Sequence, residues 1–488
     1  MTYPKEPSGQ GGWPEADGQG WPSAAPGAAQ TDAWPTASVP ARTAEPFAGV
    51  PPQQDGTRPR PWPEPRPLPE PQRLPEPAVR PEPPVQSEPP AQARPKKPGR
   101  DRYLDLLRSL ALVRVVVYHL FGWAWLTIVF PSMGVMFALA GSLMARSLKR
   151  PALSVIRGRV RRLLPPLWAF SAVALALLFV GGWNPGSDPD TGGGTWGWLD
   201  LVDYVFPFAA PSFPWEIANP PGFLESTWAE QAIGPLWYLR AYLWFVFASP
   251  LLLWAFRKVP WATLCAPLAL TAVVGTGLVT IPGRTGEAVT DFAVYGSCWV
   301  LGFAHQEGTL AKVPRYAAVS GAALLMAFGL WWASGHLTEE GWNLDEIPLA
   351  QAAWSLGFVA ILLQYAPSWQ QLPGRLARWD RLVTLANNRA VTIYLWHNIL
   401  IMATFPLIDR LYELPFMDDR LSSALDSTYM LWSLVLVWPL IALAILGTGW
   451  IEDLAAKRSP RLWPDGGGKA SGSRSGGTSR KKGRGRAR

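Results

Sequence analysis

Two side chains that could do chemistry, Arg108 and His119, lie eleven residues apart in an apolar stretch. In an α-helix this spacing is almost three whole turns, so both would point to one face, roughly 16 Å apart along the axis. A guanidinium can bind phosphate in bidentate fashion, and a neutral imidazole can take a proton from a hydroxyl. The pair favours a phosphate-bearing donor and a base. The structural alternative is that Arg108 extends to the lipid headgroups and His119 bridges two helices.

Three further ionisable residues lie inside apolar stretches, where a charge is costly and so indicates a function. Arg114 lies roughly 140° around the helix from His119 and could pair with a carboxylate on another helix. Arg240 could hold an anionic or hydroxylated acceptor, or it could pair with Glu230. For His397 we expect a helix-packing hydrogen bond or, alternatively, a second catalytic or orienting role.

The elements that must position these residues are membrane-spanning helices. Hydrophobic residues make up 49% of the 488-residue chain and charged residues only 16%, well below the usual share for a soluble domain. The 28 tryptophans are typical of a protein that places indole rings at the membrane interface. We predict an all-α integral membrane protein with about ten transmembrane helices, near 103–124, 131–148, 163–182, 235–256, 260–280, 290–306, 315–334, 348–366, 389–408 and 427–449.

The loops between these stretches predict an orientation. The loop over 149–162 carries six lysines and arginines, whereas the loops over 183–234 and 335–347 carry none. Because basic loops stay in the cytoplasm, this alternation predicts a multi-pass protein of the cell membrane with both termini cytoplasmic.

The two tails differ from this membrane domain. Residues 1–100 are proline-rich, which predicts a disordered cytoplasmic region or, alternatively, a ligand for a proline-binding domain. Residues 453–488 are predicted to be a disordered basic tail that suits anionic membrane lipids. The net charge of +8 comes largely from these tails and short loops, so we expect no nucleic-acid binding.

Several short motifs of the membrane domain, 101–452, resemble those of the membrane-bound acyltransferase-3 family. They occur in the family's order and are Arg108 with His119, the Gly134–Leu143 segment, Arg159–Trp168, Gly234–Arg240 and Ile393–His397. One position departs from many members of the family: Tyr242 stands where they carry a glutamate, which indicates a different subgroup.

The resemblance implies an enzyme that moves an acyl group, commonly acetyl, from cytoplasmic acyl-CoA to a hydroxyl. The acceptor would be a carbohydrate, a glycolipid or another compound of the cell envelope. Acyl-CoA is then a co-substrate, and membrane lipids surround the enzyme. We expect neither a metal nor a prosthetic group, because a positioned base and a bound donor suffice for this chemistry.

The resemblance also implies roles for particular residues. His119 would be the catalytic base, and Arg108 would bind the phosphates of the donor. Arg159 and Arg162 could also bind those phosphates, or they could serve only as a cytoplasmic anchor. Residues that could bind the acceptor or support the site are Arg114, Trp237, Arg240, Tyr394 and His397.

The main alternative is a secondary transporter or exporter of a small molecule, since buried Arg and His residues can line a proton or substrate path. Transporters commonly contain internal repeats, and none is evident in this sequence. A scaffold that recruits partners through its proline-rich tail would leave the spacing of Arg108 and His119 unexplained.

Overall fold

The computed structural model describes residues 101–187, 194–217, 226–415 and 418–466. The proline-rich region predicted over 1–100 lies outside the described residues, as does the basic tail from 467 onwards. Among the described residues the regular secondary structure is helical, with no β-strand. The α-helices are α1 Arg102–Phe121, α2 Trp125–Val129, α3 Ser132–Ser147, α4 Ala152–Val180, α5 Gly194–Leu199, α6 Val202–Val205, α7 Trp228–Ile233, α8 Trp237–Lys258, α9 Pro260–Gly275, α10 Gly283–Gln306, α11 Arg315–Ser334, α12 Pro348–Gln364, α13 Asp380–Asn388, α14 Ala390–Tyr412, α15 Asp419–Thr448 and α16 Trp450–Ala455.

Six helical segments are long and apolar enough to cross a membrane, and two shorter helices, α9 and α12, are also apolar. The prediction of an all-α integral membrane protein is therefore confirmed. Each of the ten predicted stretches falls on a helix. The number ten stays a prediction, because α9 and α12 are short and because α1 and the first part of α10 carry charged residues.

Helix α4 differs from the sequence prediction at its start. The prediction treated 149–162 as a loop, whereas α4 already begins at Ala152. Arginine is a good helix former, so the four arginines of this segment continue the helix beyond its apolar part. Arg159 and Arg162 are therefore presented by a helix whose direction the membrane-spanning part fixes.

The start of α1 is held against α13. The Asp101 side chain caps α1 by accepting from the Tyr103 backbone N–H at 3.0 Å. Arg102 pairs with Asp105 and with Asp380. These contacts fix the helix that carries Arg108 and His119. The two ends of the bundle are named after the helices that begin there. At the α4 end, both α1 and α4 begin. At the α10 end, α1 stops and α10 begins.

Helix α3 lies in the centre of the bundle and packs closely on α10. Most of the apolar part of Trp125–Ser147, the segment that comprises α2 and α3, is buried, whereas α11 and α15 are mostly exposed. Phe137 is fully buried and stacks on Tyr295 with ring centroids 5.0 Å apart. The central helices thus bring aromatic side chains of α3, α8 and α10 together beside α1.

The chain after α15 packs back on the bundle. Arg389, at the α13–α14 junction, is fully buried and pairs with Asp453 at 2.7 Å. Asn388 donates to the Pro464 carbonyl at 2.8 Å. The residue at which the disordered tail was predicted to begin, 453, therefore lies within a packed segment, and Arg461 also bonds to Asp453 through its backbone N–H.

Candidate active site

Arg108 is half-buried and directed by α13. Its Nη1 donates to the Asn387 Oδ1 at 3.2 Å. The Asn387 amide nitrogen in turn lies 2.8 Å from the Asp105 carbonyl oxygen and from the Ser109 hydroxyl oxygen, both on α1. A side chain whose partner is itself held in this way keeps its direction, which suits binding of a charged group.

Arg159 joins three helices at the α4 end. Its Nη2 donates to the Leu143 carbonyl at 3.3 Å and to the Ser147 hydroxyl at 3.2 Å, in the last turns of α3. Its Nη1 lies 3.4 Å from the hydroxyl oxygen of Tyr242 on α8. The carbonyls at the end of a helix carry partial negative charge, so this position suits a guanidinium.

Arg162 is exposed and lies within a cluster of positive charge. The charges of Arg159, Arg161 and Arg458 all act on its guanidinium. Arg458 follows α16, and α16 is tied to α4 because Arg161 donates to the Ala455 carbonyl at 3.1 Å. The sequence prediction missed Arg458, because only the folded chain brings the segment after α16 to the start of α4.

A line of aromatic rings runs from this end into the bundle. Tyr238 on α8 lies close enough to Arg108 to interact with its charge. The centroid of the Tyr238 ring is 6.4 Å from that of Tyr242 and 4.9 Å from that of Tyr394. The Tyr394 ring lies 5.5 Å from His397. The charge of Arg108 thus acts on the first of a series of neighbouring rings that leads to the two histidines.

His119 and His397 are neighbours, with ring centroids 5.1 Å apart and planes inclined at 57°. His119 is exposed to the space between the helices, although protein atoms surround that space on most sides. His397 is fully buried, and its Nδ1 lies 2.6 Å from the Tyr394 carbonyl oxygen. This hydrogen bond stays within α14, so the helix-packing hydrogen bond expected for His397 stays a prediction; between helices, the ring of His397 meets the ring of His119.

Arg114 is buried near the α10 end and approaches a carboxylate, as one sequence interpretation had it. Its Nη2 lies 3.8 Å from Asp345 Oδ2, and its guanidinium lies 4.5 Å above the Tyr118 ring. Asp345 belongs to the connection between α11 and α12 rather than to a long helix. Burial raises the pKa of the Asp345 carboxyl, and the charge of Arg114 opposes that rise.

Arg240 is also buried and pairs with α10. Its Nη2 lies 2.6 Å from Asp291 and its Nη1 lies 3.3 Å from Glu287. Of the two alternatives given for Arg240, pairing with Glu230 is not among the contacts described, since its carboxylate partners are Asp291 and Glu287. Helix α10 begins at Gly283 and so extends beyond its apolar part, and two carboxylates four residues apart share the helix face towards α8.

Trp237 is half-buried and lies beside Tyr295, which interacts with residues of both arginine–carboxylate pairs. Its ring stacks on that of Tyr295 at 5.6 Å and 24°. The charges of Asp345, Asp291 and Arg114 all act on Tyr295. In the described part of the chain, no three His, Cys, Asp or Glu side chains are grouped as metal ligands.

Comparison with known proteins identifies the family to which this helical bundle belongs. A family model described as an acyltransferase domain, the acyltransferase-3 model, matches residues 101–451. The chain therefore belongs to the membrane acyltransferase-3 family and is a membrane-bound acyltransferase, as the motifs predicted. Searches of curated proteins and of solved structures give no match.

Proposed function

We propose that the protein transfers an acyl group, in the first instance acetyl, from cytoplasmic acyl-CoA to a hydroxyl of a carbohydrate, glycolipid or other cell-envelope acceptor. The observation that carries this proposal is the connection between the cationic α4 end and His119. That connection is a series of side chains in which each interacts with the next: Arg108, Tyr238, Tyr394, His397 and finally His119. Such an arrangement suits a donor bound through its phosphates, with its acyl end directed towards the imidazole.

The charges at the two ends of the bundle support an orientation in the cell membrane. The α4 end carries the arginines of α4 together with Arg257 and Lys258 at the end of α8. The α10 end carries the carboxylates of Asp291 and Asp345. Because positive residues favour the cytoplasmic side, the α4 end would face the cytoplasm, and both termini with it. The donor would then enter from the cytoplasm and the acceptor from the outer face.

The proposed reaction uses His119 as the base. Its imidazole takes the proton of the acceptor hydroxyl while the hydroxyl oxygen attacks the carbonyl carbon of the thioester. A carbon–oxygen bond forms, and the carbon–sulfur bond breaks. The CoA thiolate then takes the proton from the His119 imidazolium, so that the products are an ester and free CoA. Arg108 would hold the donor so that its carbonyl carbon lies beside the attacking oxygen.

The α10 end favours an acceptor that is neutral around the reacting hydroxyl. The side chains of Arg114 and Arg240 are only 8% and 3% exposed, whereas those of their partners Asp345 and Asp291 are 23% and 21% exposed. At these two pairs an incoming molecule therefore meets the carboxylates rather than the guanidinium groups, and carboxylates accept hydrogen bonds from hydroxyls and repel anions. Trp237 could stack on a sugar ring between them.

The direct test of this function compares the envelope glycans and lipids of cells with and without the protein by mass spectrometry. We expect one neutral glycan or glycolipid to lose the mass of an alkali-labile acyl group in the cells that lack the protein. Complementation with the full chain should restore that mass. Identical ester content in both sets of cells would contradict the proposal.

Donor binding predicts a second result. Replacing Arg159 or Arg162 with glutamine should raise the Kd of acetyl-CoA about fivefold to tenfold, because each loses a charge-assisted contact with phosphate. Isothermal titration of the purified protein in detergent measures this Kd. Arg157→Gln is the matched control, since Arg157 is exposed on the same helix and lies outside the cluster around Arg162. Equal affinity in all three variants would show that these arginines only anchor the protein.

A further inference from the structure

His397 has one ring nitrogen in use and one without a partner. Its Nδ1 lies 2.6 Å from the Tyr394 carbonyl oxygen. A carbonyl only accepts hydrogen bonds, so Nδ1 carries the proton of the neutral imidazole. The lone pair of the ring is then on Nε2. The Nε2 atom of His397 can therefore accept a hydrogen bond from a donor that faces it.

This acceptor is unusual because it lies in the protein interior. The side chain is fully buried, and Nε2 has no hydrogen-bond partner within the described residues. Buried polar atoms are rarely left without a partner, and the exceptions often mark a functional site. The structure records no direct hydrogen bond between the two histidines, but the ring of His119, 5.1 Å away between centroids, is close enough for one made through a bridging water molecule or after a small turn of the exposed His119 ring.

We infer that His397 is a positioning residue that accepts a hydrogen bond from His119 and so selects the tautomer in which His119 acts as the base. This inference rests on the proposed role of His119. One His119 nitrogen would carry a proton shared with His397 Nε2. The other nitrogen would keep its lone pair and face the space between the helices, where the acceptor hydroxyl enters. When His119 takes the hydroxyl proton, its imidazolium keeps the hydrogen bond to His397.

A neutral partner suits a base inside a membrane domain. A carboxylate in this position would be a buried charge, and such a charge is costly unless other groups pair with it. Imidazole accepts the same hydrogen bond without a charge of its own. The orienting role that an acidic residue has in many triads can therefore be filled here by a second histidine.

The backbone around His397 is fixed by contacts with the segment before α8. The Tyr394 hydroxyl donates to the Pro235 carbonyl at 2.7 Å, and the Asn398 amide donates to the Gln231 carbonyl at 2.8 Å. These two residues flank His397 on α14, so the helix cannot rotate without breaking both bonds. A positioning residue needs this rigidity, because an error of orientation is passed on to the base.

Three variants separate positioning from packing. Glutamine can place its Oε1 near the position of the imidazole Nε2, whereas asparagine is too short and leucine has no acceptor. We expect His397→Gln to keep the kcat of acetyl transfer within about tenfold, and His397→Asn and His397→Leu to lower it about a hundredfold, with the KM for acetyl-CoA unchanged. The assay measures label transferred from radioactive acetyl-CoA to native membranes. A packing role would instead make leucine the best tolerated variant, and that result would overturn the inference.

A parallel His119→Gln variant separates this inference from the proposed function. If His119→Gln keeps the full rate, the role of His119 as the base is wrong, and the inference falls with it. If His119→Gln is inactive but all three His397 variants transfer at the normal rate, only the inference is wrong. If His397 acts through His119, His119→Gln combined with His397→Asn should be no slower than His119→Gln alone. Melting temperatures of all variants confirm that the proteins are folded.

Discussion

Replacing His119 with glutamine is expected to lower the rate of acyl transfer between about a hundredfold and ten-thousandfold, the usual contribution of a general base. Glutamine has a similar length and can hydrogen bond, but it cannot take up a proton. The side chain lies in the last turn of α1 and is exposed to the space between the helices, so the change removes little packing. The loss should therefore appear in kcat, whereas the KM for acetyl-CoA stays unchanged. Transfer of label from acetyl-CoA to native membranes measures both.

The matched control is His336→Gln, which makes the same substitution in an exposed histidine of the connection after α11. That ring stacks on Trp332 and is not among the contacts that link Arg108 to His119. We expect its transfer rate to equal that of the unchanged protein. A folded His119→Gln protein that keeps more than half of the rate would exclude His119 as the base. If export of a small molecule were lost while acyl chemistry was never detected, the transporter interpretation would be favoured.

Much of the helical arrangement could be predicted from the sequence, because apolar length is sufficient to identify a membrane helix. The stretch near 427–449 ends one residue beyond α15, and the stretch near 315–334 coincides with α11. Helix starts were harder to predict where a charged segment continues the helix. Both α4 and α10 begin before their apolar parts, and the residues in those extensions, Arg159 and Glu287 among them, are the ones that make the contacts described above.

Individual residues of the candidate site could be predicted from residue type and spacing in the sequence, but the contacts between them could not. Arg108 and His119 share one helix, so helical geometry alone relates them. His397 meets His119 only because α14 packs on α1, and nothing in the local sequence specifies that contact. For the same reason the sequence named a different carboxylate as one alternative for Arg240: Glu230 is near in sequence, whereas Asp291 is near in space.

The contact between α3 and α10 predicts the largest effect on stability. A Cβ atom on Gly302 would lie 2.1 Å from the Ala138 carbonyl oxygen and 2.6 Å from the Ser142 backbone nitrogen. A Cβ on Gly141 would lie 2.2 Å from the Trp299 carbonyl oxygen. Both obstacles are backbone atoms, so no side-chain rotation can make room. Only separation of the two helices could accommodate the added atoms.

We therefore expect Gly302→Ala to destabilise the protein by more than the ~1–3 kcal/mol of ordinary overpacking, and Gly302→Leu to prevent folding of the bundle. The melting temperature of the purified protein in detergent measures the first change, and the yield of monodisperse protein measures the second. Gly321→Ala is the control, because a Cβ there meets open space in the middle of α11. In that helix the higher helix propensity of alanine acts alone and should leave stability equal or increased by up to roughly 1 kcal/mol.

Gly302→Ala is expected to lower the stability of the protein, whereas Gly321→Ala is expected to keep or raise it. The same two variants also test the site, because aromatic rings of the site lie at the contact between α3 and α10. Phe137 on α3 stacks on Tyr295 of α10, and Tyr295 carries the stacked ring of Trp237. Any separation of α3 from α10 would move Phe137 away from Tyr295 and so disturb the ring stack that includes Trp237. Gly302→Ala protein that remains folded should therefore also transfer acyl groups more slowly, whereas Gly321→Ala should not. Equal melting temperatures for the two variants would mean that α3 and α10 do not approach as closely as described here.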